Sequence, residues 1–468
     1  MNPVLNLLCL FVLLVPLLWQ LRRDFVKGLA YAVFLCVSVS TVLRVALPGA
    51  LPQLTIFRLI LLLLFFFWLK ERRLGRFTSR VPFSGLFWFW AIANLVSLVF
   101  TDITFSRSLK RYLDFVLEFW GFYVVATTAI ENRADAMRIL RAAVMGLGVV
   151  ALLAFIEKYT RFNPVNLLAP SDEEVQFSTG VTATYQHRIL LGTGLAMGLP
   201  LALVFARLAL TPRAKIAYWC LAILMAAGCY FAQSRGPWLG VALACSALLL
   251  LGTWQTRKGL GWILGLVLLV VILRPGVYAS LVNSVKVTAD ANNFKGGTFR
   301  YRLELWQVAW TAIAESPLRL LFGYGLGSGL EKELEWNLSF RSKSQEITSW
   351  DNHYAYDLFQ TGVVGLAAKL ALYLAIGITI FRAQRQSDTS DRDVLAAVLG
   401  SVLVLIFMMS NVLVFTKQLN FLFGTLAAVA FAFRLPRAGL VPVEDQGPEP
   451  EFTCADAGDS FRGAPARP

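Results

Sequence analysis

The chain has 468 residues, 57% of them hydrophobic and only 15% charged, with a mean hydropathy of +0.62 and a formal net charge of +14. Repeated apolar runs able to cross ~30 Å of hydrocarbon read this way, and a soluble domain of this length does not. No basic soluble domain exists to hold nucleic acid, so the excess of Lys and Arg marks topology and a means of attracting anionic lipid or phosphate.

The apolar runs fall, in chain order, over 3–20, 29–47, 54–69, 82–100, 112–130, 139–157, 189–207, 216–232, 237–254, 259–274, 363–381, 394–415 and 419–434. The first either spans or lies along the surface, and it lacks the basic start and cleavage site of a signal peptide. The pattern predicts an all-α polytopic membrane protein of about 12 transmembrane helices, with 13 as the rival count. Lys70-Glu71-Arg72-Arg73-Leu74-Gly75-Arg76 is the densest basic turn and marks the cytoplasmic side. Alternation from it puts 101–111, 158–187, 233–236 and 275–362 on the opposite side. Four regions follow: a helix bundle over 1–274, a long extracytoplasmic loop over 275–362, further membrane helices over 363–434, and a Pro-rich tail over 435–468 that reads as disordered and cytoplasmic.

Within the long loop Leu303, Leu305, Trp306, Ala309, Trp310 and Ile313 recur at helical spacing, predicting an amphipathic helix on the membrane. Gly323-Tyr324-Gly325-Leu326-Gly327-Ser328-Gly329 predicts a turn. Five cysteines lie in apolar runs and Cys454 in the tail, so neither a disulfide framework nor a Cys-type zinc site is implied. Asp114 and Glu118 share a helical face and predict interhelical ion pairs with Arg58 or Arg111. Trp88, Trp90, Trp336 and Trp350 read as interface belts.

Chemistry concentrates on the extracytoplasmic side. His353, one of two histidines, sits where the long loop re-enters the apolar run, and its ordinary pKa of about 6.5 suits a general base. Arg235, in Gln233-Ser234-Arg235-Gly236-Pro237-Trp238, lies at the start of a helix, a place suited to clamping phosphate. Arg302 shares a helical face with Trp306, against the plainer reading of an ion pair with Glu304 or Asp290. Arg188, beside His187, and Arg300 are further diphosphate-binding candidates, and Asn352, Tyr354 and Trp306 are supporting residues. Asp172-Glu173-Glu174 reads as a solvated loop, and Asp391-Arg392-Asp393 falls on the cytoplasmic side. The expected site therefore uses arginines and holds no metal or cofactor.

Ser234-Arg235-Gly236 with Trp238-Leu239, Arg302-Leu303 with Trp306, Pro317 through Phe322-Gly323-Tyr324-Gly325, and Asn352-His353 leading to Thr361-Gly362-Val363-Val364-Gly365 together resemble the O-antigen ligase family of the O-antigen ligase/polymerase superfamily. The family's usual order is His followed by a small polar residue; here Tyr354 follows His353 and Asn352 precedes it. The resemblance implies a GT-C-like helical fold in the bacterial inner membrane, with the long loop and its active site in the periplasm. It implies transfer of a preassembled glycan from undecaprenyl diphosphate to lipid A core, with Arg235, Arg302 and His353 in the motif positions. Rival readings are an O-antigen polymerase or protein O-oligosaccharyltransferase using the same donor and, from another class, a lipid-linked sugar flippase. Transporters tend to show repeated halves, which this sequence lacks.

Overall fold

The computed structural model describes residues 3–45, 54–77, 80–168, 180–273, 294–331, 335–336, 345–346, 350–414 and 416–433, with isolated positions between 279 and 286. Asp172-Glu173-Glu174, Asp290 and the tail over 435–468 lie outside these residues. In chain order the helices are α1 (Pro3–Arg23), α2 (Phe25–Ser38), α3 (Ile56–Arg73), α4 (Ser84–Ser97), α5 (Phe105–Phe115), α6 (Phe122–Ala129), α7 (Arg133–Thr160), α8 (Arg188–Leu208) and α9 (Pro212–Phe231). There follow α10 (Arg235–Leu251), α11 (Trp254–Leu273), α12 (Phe294–Ile313), α13 (Pro317–Phe322), α14 (Ser328–Glu331), α15 (His353–Gln386), α16 (Thr389–Met409) and α17 (Lys417–Ala432). Among the described residues the strands are two antiparallel pairs of two residues each, Arg44–Val45 with Leu54–Thr55 and Glu335–Trp336 with Gln345–Glu346.

Among the described residues six helices are long and apolar enough to cross a membrane: α1, α7, α8, α9, α15 and α16. Four shorter apolar helices include α2, α10 and α17. The chain is thus an all-α, multi-pass membrane protein, and the figure of about twelve spans rests on the sequence pattern. Local chemistry sets the helix starts. The side chains of Asp24, Thr55, Asn132 and Thr211 each accept a hydrogen bond from the backbone N–H three residues on, satisfying a donor that the helix itself cannot. α8 and α16 are the most enclosed spans, and α10 packs against both.

The apolar run expected over 112–130 is not one regular helix. α5 passes into a π-helical turn over Val116–Gly121 before α6 resumes. Glu118, inside that turn, pairs with Lys417 and lies 3.5 Å from Arg58, whose guanidinium also meets Asp114 at 2.6 Å. The expected pairing with Arg58 is therefore present, and Lys417 from the far end of the chain joins it.

α15 carries a break at Gly362, where φ is 63° and ψ is −168°. A side chain there would strike the backbone: its Cβ would stand 2.4 Å from the Leu321 carbonyl carbon. Gly323, at φ 68°, is the reciprocal case, with Gln360 carbonyl atoms 2.4–2.5 Å from the position of its Cβ. Two backbones cross here in contact, which glycine alone permits at these angles. The amides of Tyr324 and Gly325 donate to the carbonyls of Phe359 and Gln360 at 3.0 and 2.8 Å, and the Gly327 amide donates to the Gln360 side chain. The glycine-rich turn expected from sequence is therefore a joint that fixes the segment 353–361. Trp350 corrects the belt reading: it is 1% exposed and donates through Nε1 to the Gly329 carbonyl at 2.6 Å. Trp90 is buried too, whereas Trp88 is half-exposed.

Candidate active site

The loop that follows α16 organises the site with its backbone. Arg302, on α12, donates from Nε to the Asn411 carbonyl at 2.9 Å. His353, at the first position of α15, accepts on Nδ1 from the Val414 amide at 3.1 Å. Gly236, next to Arg235, packs on Met408 and Asn411: a Cβ there would lie 3.0 Å from the Met408 methyl. Three candidates far apart in sequence are thus gathered on residues 408–414. Nothing in the sequence singled out this loop, because it acts through peptide groups that every residue carries.

Electrostatics joins the same residues. Burial works to lower the pKa of Arg302, the nearby Asp351 carboxylate opposes that, and Arg235 adds repulsion. Arg302 Nη2 stands 3.7 Å from Asp351, a separation too long for a hydrogen bond. Asp351 also acts on His187, whose pKa lies below 6.5 because burial dominates, with Arg188 adding to the depression. Arg188 opens α8 immediately after His187. Arg302 and Asp351, with Arg235 and His187 in electrostatic reach of them and Arg188 next to His187, form one polar cluster.

The supporting residues hold the site from beneath. Asn352 caps α15: its Oδ1 accepts from the amides of Tyr354 and Ala355 at 3.1 and 3.2 Å, and its Nδ2 lies 3.4 Å from the Arg302 carbonyl. The Tyr354 hydroxyl donates to the Ile406 carbonyl at 2.7 Å, pinning α15 to α16. Trp306 is elsewhere. It lines an apolar groove of about 600 Å³ with Trp310, Leu366 and Leu370, between α12 and the apolar part of α15. Arg300 is half-exposed and sits 3.2 Å from Glu304 one turn on. The Glu304 pairing weighed for Arg302 thus belongs to Arg300.

Two residues absent from the sequence reading surround His353. Asp357, one turn along α15, has Oδ2 3.5 Å from Nε2. Lys369 Nζ is 2.6 Å from both that carboxylate oxygen and Nε2. A signal did exist, since Lys369 is a lone ionisable residue within an apolar run. Of the acids weighed from sequence, the two that are described are engaged with basic and hydroxyl groups. Asp391 pairs with Arg133, and Asp393 pairs with Arg207 and accepts from Thr253 and Thr256. Among the described residues no group of three or more His, Cys, Asp or Glu side chains could hold a metal ion.

A largely buried histidine and an arginine are thus held by one loop, with a second arginine alongside. Residues 220–370 match the family model described as O-antigen ligase. They include Arg235, Arg302, His353, Asp357 and Lys369. That stretch is similar to the O-antigen ligase/polymerase superfamily of membrane glycosyltransferase-like enzymes. No curated protein matches the chain.

Proposed function

We propose that the protein is an O-antigen ligase that moves a preassembled polysaccharide from undecaprenyl diphosphate to a sugar hydroxyl of lipid A core, at the periplasmic face of the bacterial inner membrane. The observation that carries this reading is the gathering of Arg302 and His353 on the backbone of residues 411–414, with Arg235 alongside. The acceptor oxygen attacks the anomeric carbon of the donor sugar as the bond from that carbon to the diphosphate breaks. The leaving diphosphate keeps the electron pair, and its growing charge is met by Arg235 and Arg302, with Arg188 at the edge of the cluster. Because the Arg302–Asp351 contact is long, an incoming phosphate can replace it without breaking a strong bond.

The acceptor proton passes to His353. A neutral imidazole with Nδ1 accepting from Val414 carries its proton on Nε2, the nitrogen that meets Lys369 Nζ. Nδ1 faces the loop that holds Arg302, so it is the nitrogen that takes the incoming proton, exchanging the Val414 amide for the hydroxyl. A single displacement of this kind inverts the anomeric centre and needs no metal. The test is transfer by the purified protein given undecaprenyl-diphosphate glycan and lipid A core, beside a His353→Ala control. Transfer by wild type alone, with inverted configuration, supports the ligase. Lengthening of the lipid-linked glycan without transfer to core makes it a polymerase, and a retained configuration sinks the single displacement.

A further inference from the structure

A carboxylate one helical turn from a histidine is a mixed gift to a base. Asp357 lies near Nε2, and left alone it would favour the protonated ring, which has no lone pair to offer. The structure supplies a third group. Lys369 Nζ is 2.6 Å from Asp357 Oδ2, closer than the 3.5 Å from that oxygen to His353, and it stands 2.6 Å from Nε2 as well. In an unbroken α-helix sixteen residues would separate positions 353 and 369 by about 24 Å along the axis. The break at Gly362 brings them into contact.

The lysine is 5% exposed, within an otherwise apolar stretch, with the rings of Trp90 and Tyr373 5.6 and 5.8 Å from its nitrogen. A buried ion pair seldom adds net stability, so fold stability is a weak reason for its presence. The charged groups facing the imidazole are Asp357 and Lys369. Tyr356, with its ring 6.2 Å away, shares the helix, and the facing loop presents the Val414 amide.

We propose that Asp357 and Lys369 are positioning residues for His353: Lys369 binds both Nε2 and the Asp357 carboxylate, so the carboxylate does not hold a proton on the ring and the imidazole stays uncharged and able to accept a proton. This deepens the reading of His353 as the base, and the experiment separates the two. Protein carrying ¹⁵N-labelled histidine is reconstituted in nanodiscs and the imidazole signals are followed against pH. With two histidines in the chain, His353→Ala identifies the signal to follow.

Lys369→Met leaves the carboxylate uncompensated and is expected to raise the midpoint of ring protonation by about one to three pH units. Adding Asp357→Asn to it removes the cause and is expected to bring the midpoint back toward wild type. A midpoint unmoved in Lys369→Met, or moved equally in the single and double variants, overturns the proposal. Asp357→Asn alone retains the lysine, and its ring is expected to be neutral at pH 7. A charged ring there overturns the proposal whether or not Lys369→Met folds. The acid limb of the transfer rate should move with the midpoint; if the midpoint moves as expected and the limb does not, the positioning stands and His353 is not the base.

Discussion

Gly362→Ala puts the joint beneath the site to the test. The residue sits at φ 63° and ψ −168°, a region essentially reserved for glycine, where a Cβ costs about 1–3 kcal/mol. The added carbon would also stand 2.4–2.5 Å from Leu321 C, Leu321 O and Phe322 N, backbone atoms that cannot rotate aside. Overpacking of this kind costs about 1–3 kcal/mol, so the sum is about 2–6 kcal/mol. Thermal unfolding in detergent should show a Tm lowered by at least about 4 °C on the scaling of larger domains. Gly377→Ala is the matched control. It lies later in the same helix with nothing within 4 Å of its Cβ position, and the change should stabilise by about 1 kcal/mol. The same substitution thus has opposite signs fifteen residues apart. If Gly362→Ala melts with wild type, or both variants shift alike, the backbone crossing is not as close as described and cannot be what fixes His353.

Arg302→Ala and Arg235→Ala should each lower the rate of transfer by about 10² or more, because in the proposed mechanism each removes a donor to the leaving diphosphate. Arg302→Lys should not restore it, since one ammonium cannot hold the Asn411 carbonyl and present a planar fork to phosphate. Transfer should persist in excess EDTA, measured as product per minute; loss of turnover restored by a divalent ion would refute the metal-free reading. His187 supplies a pH dependence of stability. Its folded pKa is below 6.5, so the unfolded chain binds the proton more readily and stability falls as pH drops below about 6.5. His187→Gln should flatten that part of the profile in thermal melts from pH 7.5 to 5; an unchanged slope would show that the residue does not contribute.

The parts of the fold legible in sequence were those written in side-chain type. Gly323 to Gly329 announced a turn. Asp114 and Glu118 announced their partner Arg58, yet the π-helical turn between α5 and α6 was invisible, since its cause lies in packing and not in the apolar pattern. Arg235, Arg302 and His353 stood out as rare polar groups at membrane boundaries. Lys369 did not, because a sliding window averages one lysine into its apolar neighbours, and because its partners are reached only through the break at Gly362.

The loop over 411–414 will be nearly silent in a mutational scan. It holds Arg302 with a carbonyl and His353 with an amide, and exchanging one side chain for another deletes neither. Only proline removes an N–H, so among the natural residues proline alone at position 414 erases the contact to the imidazole. A replacement of the Val414 amide by an ester would do so without changing the side chain. Sequences can therefore drift at these positions while the geometry between arginine and histidine is inherited intact.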